Sequence, residues 1–188
     1  MSGKQKKKAV FLDRDGVLNE VVFHPGIKKP SSPWKIEEFK LFKGIEEPLK
    51  RLEEMGFLLF VFSNQPDISR GNIKKGTTEE INKILYNTFP ITEIMVCPHD
   101  DVDHCSCRKP KPGMILELSK KHDIDLKRSF VIGDGAKDMK AGKNAGVTTI
   151  LIQTDYNQKV IAENNVKSLK ESLKLISSHE RIRLNHGV

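Results

Sequence analysis

The chain has 188 residues, the size of one ordinary domain, and can bury a core without disulfides to support it. Hydrophobic residues make up 37% and charged residues 30%, which argues against a disordered chain. The net charge of +7 suggests an anionic partner, without distinguishing nucleic acid, membrane or a small phosphorylated molecule. Four of these charges are lysines at the start of the chain, where residues 1–8 are predicted to form a basic tail.

The sequence supports neither a membrane span nor a disulfide framework. The longest apolar run, residues 57–62, is far shorter than the ~20 residues that cross a bilayer. Residues 9–12 are too few for the apolar region of a signal peptide, so a cytoplasmic protein is expected. The three cysteines are an odd number and lie close together, which in a reducing compartment indicates metal binding.

Short apolar runs alternate with amphipathic segments along the chain. The runs are typical of strands covered on both faces, and they fall at residues 9–12, 57–62, 94–97, 130–132 and 148–152. Apolar spacing and end signals predict helices over residues 45–55, 77–87 and 112–122. The second of these opens with a capping-box pattern of Thr77 and Glu80. The alternation predicts a three-layer, Rossmann-like α/β fold with a parallel sheet and no large cap domain.

Two segments lie outside this alternation. Residues 19–40 contain three prolines and no periodicity, so a long loop is predicted after the first strand. Loops of that length in a compact domain are usually functional or disordered. The chain is polar from about Ser177, and a C-terminal tail is predicted at 179–188. A single domain is therefore expected over residues 9–178.

Two carboxylates follow the first predicted strand. Asp13 and Asp15 lie two residues apart, just before Gly16. The carboxyl ends of strands are where open α/β sheets bind ligands. One carboxylate can act as a nucleophile while the other exchanges a proton with the leaving group. Alone, Asp15 and Gly16 would be explained equally well as a simple turn.

The ends of other predicted strands supply the partners that this chemistry needs. Ser63 follows the second strand, and Asp134 and Asp138 follow the run at 130–132. Arg108 and Lys109 lie just before a predicted helix, whose N-terminus favours anions. Carboxylates, a hydroxyl and a lysine at one edge of a sheet are the groups required for Mg²⁺-assisted phosphoryl transfer.

Taken together and in this order, the residues resemble the haloacid dehalogenase superfamily of phosphatases. The resemblance covers about residues 9–152, and its four motifs are Asp13-x-Asp15-Gly-x-Leu, Ser63, Lys109 and Gly133-Asp134-x-x-x-Asp138. It implies that Asp13 attacks phosphorus to form an aspartyl-phosphate, and that Asp15 acts first as general acid and then as base. It also implies that Ser63 and Lys109 hold the transferring phosphoryl oxygens.

The same resemblance implies a magnesium ion. Its ligands would be Asp13, the backbone carbonyl of Asp15, and Asp134. Asp138 would support either the lysine or the shell around the metal.

A second metal site is predicted from the cysteines. Cys97-x-His99 and Cys105-x-Cys107 supply four ligands for a tetrahedral Zn²⁺ site, which should be structural because its coordination shell is closed. His104 is a spare candidate ligand. Three ordinary reduced cysteines are the alternative. The aspartates at positions 100, 101 and 103 are expected to be a solvated acidic stretch.

Four segments narrow the resemblance within the superfamily. They are Asp-Arg-Asp-Gly, Ser-Asn-Gln followed by Ser69-Arg70-Gly71, the Cys-x-His and Cys-x-Cys pairs, and Cys-Arg-Lys-Pro-x-Pro-Gly-Met. Together they resemble the D-glycero-D-manno-heptose 1,7-bisphosphate phosphatases. This implies removal of the 7-phosphate in the route to nucleotide-activated heptose for lipopolysaccharide biosynthesis, by a monomer that needs neither nucleic acid nor membrane. Histidinol-phosphate phosphatases are the first alternative, and polynucleotide 3′-phosphatases, which as a rule lack the zinc pairs, are the second. A basic nucleic-acid-binding protein on the same scaffold is the non-enzymatic alternative.

Residues that select the substrate are predicted around the motifs. Substrate contacts are expected from Asn64, Arg70, Arg108 and Lys109, and selectivity from the 19–40 loop. Candidate sugar or phosphate contacts in that loop are His24, Lys28, Lys29 and Trp34. For any one of them, a surface flap anchored by tryptophan is the more ordinary explanation. Gly135 and the Pro66-Asp67 pair depart from the resembling subfamily.

Overall fold

The structure is a computed structural model that describes residues 6–186 and has a parallel sheet at its centre. The six strands are β1 (Lys8–Leu12), β2 (Phe57–Asn64), β3 (Ile91–Cys97), β4 (Phe130–Gly133), β5 (Thr148–Ile152) and β6 (Asn164–Val166). Their order is β3-β2-β1-β4-β5-β6, and all neighbouring pairs are parallel. The α/β prediction and its five strands are confirmed. Strand β6 has too few apolar residues to have been recognised.

Five helices connect or flank these strands. They are α1 (Glu46–Glu54), α2 (Thr77–Thr88), α3 (Gly113–His122), α4 (Ala136–Ala145) and α5 (Leu169–His186). The first three confirm predicted helices, but the capping box is wrong. Gly76 occupies the cap position with φ +86°, and Thr77 is already the first helical residue, without a capping bond.

Apolar side chains fill both faces of the sheet. On one face Val10 and Leu12 of β1 pack into a cluster with Leu49 of α1 and Ile176 of α5. On the other face Phe11 packs among residues of α3 and α4. Burying each large apolar side chain contributes roughly 1.5–3 kcal/mol. The three-layer architecture therefore rests on the alternation of side chains along the strands.

Both predicted tails need correction within the described part of the chain. Lys8 belongs to β1, and the Lys7 amide donates to the carbonyl of Asp123 at 3.0 Å. The segment from 179 is not a tail, because α5 continues to His186. Arg183 of that helix donates to the carbonyl of Lys127 at 2.7 Å. Residues 1–5 and 187–188, which hold the rest of the predicted tails, lie outside the described residues.

The predicted 19–40 loop is present after β1, and it has internal structure. Val22 and Ser31 exchange two backbone hydrogen bonds of 2.9 Å, which fold its tip into a flap. Inside the flap the rings of His24 and Trp34 stack with centroids 3.6 Å apart. His24 is buried and its Nε2 lies 2.9 Å from the carbonyl oxygen of Ser32. These two rings therefore act as the anchor of the flap.

Among residues 6–186, no helix is both long enough and apolar enough to span a membrane. The carboxyl ends of β2, β1 and β4 are neighbours in the sheet. Asp13, Ser63 and Asp134 lie at these three ends. The flap and the cysteine-containing segment border the same edge, so the fold collects the predicted groups around one cleft.

Candidate active site

Lys109 lies at the centre of the site with its ammonium group almost fully buried. Its Nζ is 2.9 Å from Asp13 Oδ1 and 2.6 Å from Asp138 Oδ1, and it donates to the carbonyl of Phe62 at 2.9 Å. Burial alone would lower the pKa of Lys109, but the charges of Asp13 and Asp138 outweigh it and raise that pKa. The lysine is therefore a fixed positive charge beside Asp13.

Three carboxylates surround this single lysine. Oxygens of Asp13, Asp134 and Asp138 lie within 4.8 Å of one another. Burial raises the pKa of Asp13 well above its ordinary value, helped by repulsion from Asp138. Burial and Asp138 likewise raise the pKa of Asp134 to about 6. This excess of negative charge, built from hard oxygen ligands, fits a divalent cation such as Mg²⁺.

Of the three carboxylates around Lys109, Asp138 is the one with both oxygens in contact with protein groups. One oxygen contacts Lys109, and the other accepts the backbone N–H of Gly135 at 2.9 Å, at the start of α4. Asp13 and Asp134 are consequently the better candidates for direct contact with a cation. The supporting role of Asp138 stays a prediction.

Asp15 is held by three side chains that the sequence analysis did not assign. Arg14, which is fully buried, donates to both carboxylate oxygens at 3.1–3.3 Å. Asn19 donates to Oδ1 at 2.9 Å, and Gln65 donates to Oδ2 at 2.7 Å. The Gln65 amide also donates to the hydroxyl of Ser63 at 2.8 Å, which links the first and second motifs.

Asn64, a predicted substrate contact, is used inside the protein. Its amide nitrogen donates to the carbonyl of Lys109 and its oxygen accepts the amide N–H of Lys109, each at 3.0 Å. Both ends of the side chain therefore hold the backbone that carries the lysine. The side chain lines the cleft, but its hydrogen-bonding groups serve Lys109.

Asp134 also contacts two residues from the turn after β5, one through its carboxylate and one through its backbone carbonyl. The Tyr156 hydroxyl donates to Asp134 Oδ2 at 2.6 Å, and Asn157 donates to the Asp134 carbonyl at 2.7 Å. Burial and the Asp134 charge raise the pKa of Tyr156, which therefore acts as a donor. Gly16 has φ +85°, and a Cβ there would overlap Asp134 Oδ2, so only glycine fits beside this carboxylate.

The predicted zinc ligands converge at the carboxyl end of β3. The Sγ atoms of Cys97, Cys105 and Cys107 and Nδ1 of His99 have five pairwise separations of 3.2–3.7 Å. Ligands about 2.3 Å from a shared ion at tetrahedral angles would lie about 3.8 Å apart. The three cysteines are free thiols, so this donor set fits Zn²⁺. His104 is not part of the cluster.

The thiols of this cluster differ in acidity. Burial raises the pKa of Cys97 to about 12. Burial would also raise that of Cys105, but hydrogen bonds from the Arg108 backbone and the neighbouring thiols outweigh it and lower the pKa to about 7. Because metal ions bind thiolates, Cys105 is the thiol most ready to act as a ligand.

Acidic residues beside the cysteine cluster pair with the two predicted arginines. Arg70 donates to both oxygens of Asp100 at 2.6 and 2.8 Å and lies 3.3 Å from Asp67. Arg108 donates to Asp101 at 2.6 Å and to the His99 carbonyl at 2.9 Å. Asp101 and Asp103 are exposed, as predicted for a solvated acidic stretch, but the prediction missed the arginine partners of Asp100 and Asp101. Their carboxylates are held by the guanidinium groups.

The four motifs and the two arginines border one cleft of about 430 Å³, whereas the cysteine cluster lies outside its lining. Its floor contains Asp13, Lys109 and Asp134, and its rim contains the two arginines. From the flap, Lys29 lines the cleft, whereas Lys28, His24 and Trp34 do not. Among residues 6–186, Lys29 has no ion pair, so its charge is available to a ligand.

Sequence reasoning missed Arg14, Asn19, Gln65, Tyr156 and Asn157. Arg14 and Gln65 directly adjoin the motif residues, and Tyr156 and Asn157 follow the carboxyl end of a strand. Proximity to strand ends was the available signal. Which of their atoms meet Asp15 and Asp134 depends on tertiary contacts that one sequence does not encode as a pattern.

Comparison with known proteins defines the family. A family model described as haloacid dehalogenase-like hydrolase matches residues 26–152. The chain therefore belongs to the haloacid dehalogenase-like hydrolases. Within that family it is an enzyme of the phosphatase type, because the curated relatives that it matches along most of their length are named as phosphatases.

Two relatives and one solved structure are similar to this chain along most of its length. D-glycero-alpha-D-manno-heptose-1,7-bisphosphate 7-phosphatase of Campylobacter jejuni is 36% identical, over 89% of this chain and 95% of the relative. The corresponding beta-anomer phosphatase of Helicobacter pylori J99 is 39% identical, over 78% and 83%. The D,D-heptose 1,7-bisphosphate phosphatase of B. bronchiseptica, solved with magnesium and phosphate, has a TM-score of 0.77 at 25% identity, covering 92% and 99%.

Proposed function

We propose that this protein is a Mg²⁺-dependent phosphatase that removes the 7-phosphate of D-glycero-D-manno-heptose 1,7-bisphosphate. The observation that carries the proposal is the buried group of Asp13, Lys109 and Asp134 at neighbouring strand ends. It gives a carboxylate nucleophile, a fixed cation and a metal ligand in one cleft. The substrate is inferred from that of the relatives, whose names differ in the anomer.

In the first step an oxygen of Asp13 attacks phosphorus, and the bond from phosphorus to the sugar oxygen breaks. Asp15 gives its proton to that leaving oxygen. Lys109 and the Ser63 hydroxyl hold the transferring phosphoryl oxygens. Gln65 fixes Ser63 and Asp15 relative to each other through its two hydrogen bonds of 2.7 and 2.8 Å.

In the second step water attacks the phosphorus of the aspartyl-phosphate, and Asp15 takes the proton of that water. Inorganic phosphate leaves, and the Asp13 carboxylate is restored. Asp13, Asp134 and the backbone carbonyl of Asp15 would hold Mg²⁺, which when bound would neutralise charge on the phosphoryl oxygens. Asp138 keeps Lys109 oriented through its 2.6 Å contact.

The far end of a bisphosphate meets the rim of the cleft. Arg108 is mostly buried and is held by Asp101 and the backbone of His99, so its guanidinium has a defined orientation. Lys29 approaches from the flap and carries an uncompensated charge. Arg108, Lys29 and Arg70 are therefore the residues that we assign to the second phosphate.

Zn²⁺ bound by Cys97, His99, Cys105 and Cys107 has a structural role in this proposal. It fixes the segment that runs directly into Arg108 and Lys109. Free thiols persist in a reducing compartment, which favours a cytoplasmic enzyme. We expect it to act as a monomer, which size-exclusion chromatography with light scattering can check.

The decisive experiment measures phosphate release from three compounds by the zinc- and magnesium-loaded protein. These are heptose 1,7-bisphosphate as both anomers, histidinol phosphate, and a 3′-phosphorylated oligonucleotide. Asp13→Asn serves as the blank. We expect the heptose bisphosphate to be hydrolysed with the largest kcat/KM, leaving heptose 1-phosphate.

A preference for histidinol phosphate would refute the heptose substrate and indicate a histidinol-phosphate phosphatase, the first alternative. Equal rates for wild type and Asp13→Asn on every compound would refute the enzymatic mechanism. Metal analysis of protein purified without chelator checks the zinc site separately, and absence of zinc would refute the Cys₃His assignment.

A further inference from the structure

Tyr156 lies in the cleft and contacts the candidate metal ligand Asp134, although neither the motifs nor the proposed steps use it. Its hydroxyl donates to Asp134 Oδ2 at 2.6 Å, a short bond to a charged acceptor. The pair is part-buried beside Gly16, where a side chain would collide with both groups. The contact is therefore a directed hydrogen bond in a confined space, and not only a packing contact.

The turn that carries Tyr156 is tied to Asp134 a second time. Asn157, which is buried, donates to the carbonyls of Asp134 and Ile152, each at 2.7 Å. The Thr154 amide donates to the Asn157 side-chain oxygen at 2.8 Å. The turn that carries Tyr156 is thus hydrogen-bonded to the backbone of Asp134, the same residue whose carboxylate accepts from the Tyr156 hydroxyl.

We propose that Tyr156 is a positioning residue that orients the Asp134 carboxylate for Mg²⁺. A carboxylate rotates freely about its Cβ–Cγ bond, so a donor on one oxygen fixes the direction of the other. With Oδ2 held by the phenol, Oδ1 is assigned to the cation. Hydrogen-bonded partners of metal ligands act in this way in many sites. The inference rests on the proposed function only in taking the acidic group as a cation site.

The hydroxyl and the ring of Tyr156 make separate contacts, which lets them be tested separately. The ring packs edge-on against Phe23 of the flap, with centroids 6.3 Å apart. Tyr156→Phe keeps this ring contact and removes only the hydroxyl. The effect of that substitution therefore reports the hydrogen bond to Asp134 and not the packing.

The chain contains a matched control. Its other tyrosine, Tyr86, also has a bonded hydroxyl, which accepts the Ile94 amide at 2.8 Å on the outside of the sheet. Tyr86→Phe removes one hydroxyl without approaching a carboxylate. Mg²⁺ is titrated by calorimetry, without substrate, into zinc-loaded wild type, Tyr156→Phe and Tyr86→Phe. Asp134→Asn marks the loss of a ligand.

We expect Tyr156→Phe to weaken Mg²⁺ binding by about tenfold or more, the effect typical of a lost ligand-orienting bond. Tyr86→Phe should bind Mg²⁺ as wild type does. In steady-state assays, the Mg²⁺ concentration for half-maximal rate should rise for Tyr156→Phe, and excess Mg²⁺ should restore most of kcat. Circular dichroism confirms that each variant is folded.

Unchanged Mg²⁺ affinity in Tyr156→Phe would overturn the inference while leaving the proposed phosphatase intact. An equal loss in Tyr86→Phe would also overturn it, since the effect would then be a general loss of rigidity. If the affinity falls as expected but wild type hydrolyses none of the phosphate esters, the positioning role stands and the proposed function fails.

Discussion

The floor and the rim of the cleft differ in how their charges are paired. On the floor, three carboxylates share one lysine, and burial leaves an excess of negative charge. On the rim, Arg70 and Arg108 already contact aspartates from the segment between His99 and Cys105. The floor therefore needs an added cation, whereas a ligand at the rim must compete with carboxylates that the protein supplies.

This difference separates chemistry from selection. An unbalanced, buried group gains greatly from binding Mg²⁺ and the phosphoryl oxygens, because interactions between charges are strong where water is excluded. Arg70 and Arg108 would bind a second phosphate only by exchanging their aspartate partners for it, whereas Lys29 offers a charge without an ion pair among the described residues. Changes on the floor should thus alter the rate of the reaction, and changes on the rim should alter KM.

The largest expected effect is that of Asp13→Asn. Removing the nucleophile should reduce kcat by about 10⁴-fold or more. Because burial and Asp138 make the charged form of Asp13 unfavourable, the neutral amide should not lower the unfolding temperature of the metal-free protein. Phosphate release and thermal unfolding in chelator measure the two effects. A lower unfolding temperature would contradict the charge excess assigned to the floor.

The second largest effect is expected in the cysteine-containing segment that leads into Arg108 of the rim. Cys107→Ser removes a candidate zinc ligand two residues before Lys109, so stability and activity should both fall. The free energy of unfolding should drop by more than about 3 kcal/mol, because a structural zinc contributes directly to folding. Chemical denaturation with zinc analysis measures this change, with Ser106→Ala as an exposed neighbouring control. Unchanged unfolding would exclude a structural metal.

The floor could be predicted from sequence better than the rim, for a physical reason. Asp13, Ser63 and Asp134 each follow an apolar run, and parallel strands bring their carboxyl ends to one edge whatever the details of packing. The contacts of Asp100 with Arg70 join residues 30 positions apart on different loops. A charge run carries no sign of the partner it meets, so the acidic stretch was predicted to be solvated.

The fold shows the same division. Strands covered on both faces have apolar runs that one sequence reveals, and the predicted strands were found. Helices α4 and α5 were not predicted, and a tail was expected where α5 ends, because its last turns are polar, with few apolar positions to mark a helix. What holds them is tertiary, including the Arg183 bond to the Lys127 carbonyl and the ring of His179 on Phe130.

A moderate effect is expected for Arg108→Ala. If the guanidinium binds the second phosphate, the KM for the bisphosphate should rise by about tenfold to a hundredfold while kcat changes little. The KM for a monophosphate ester should change much less, since that substrate leaves the rim empty. Steady-state kinetics on both substrates measures the difference. An equal fall in kcat/KM for the bisphosphate and the monophosphate ester would mean that Arg108 acts on the transferred phosphate and not on the second one.

The smallest effect is expected for Asp101→Asn, and it tests the sign of the competition at the rim. The Asp101 side chain is 71% exposed, so its pair with Arg108 contributes little to stability. Neutralising it should free the guanidinium for the second phosphate and lower the KM for the bisphosphate by about twofold to fivefold. Asp103→Asn, a neighbour without an arginine contact, is the control in the same assay. A higher KM in Asp101→Asn alone would mean that the Asp101 carboxylate mainly orients Arg108 and does not compete with the second phosphate. Asp101 would then preorganise Arg108 at the rim, as Asp138 orients Lys109 on the floor.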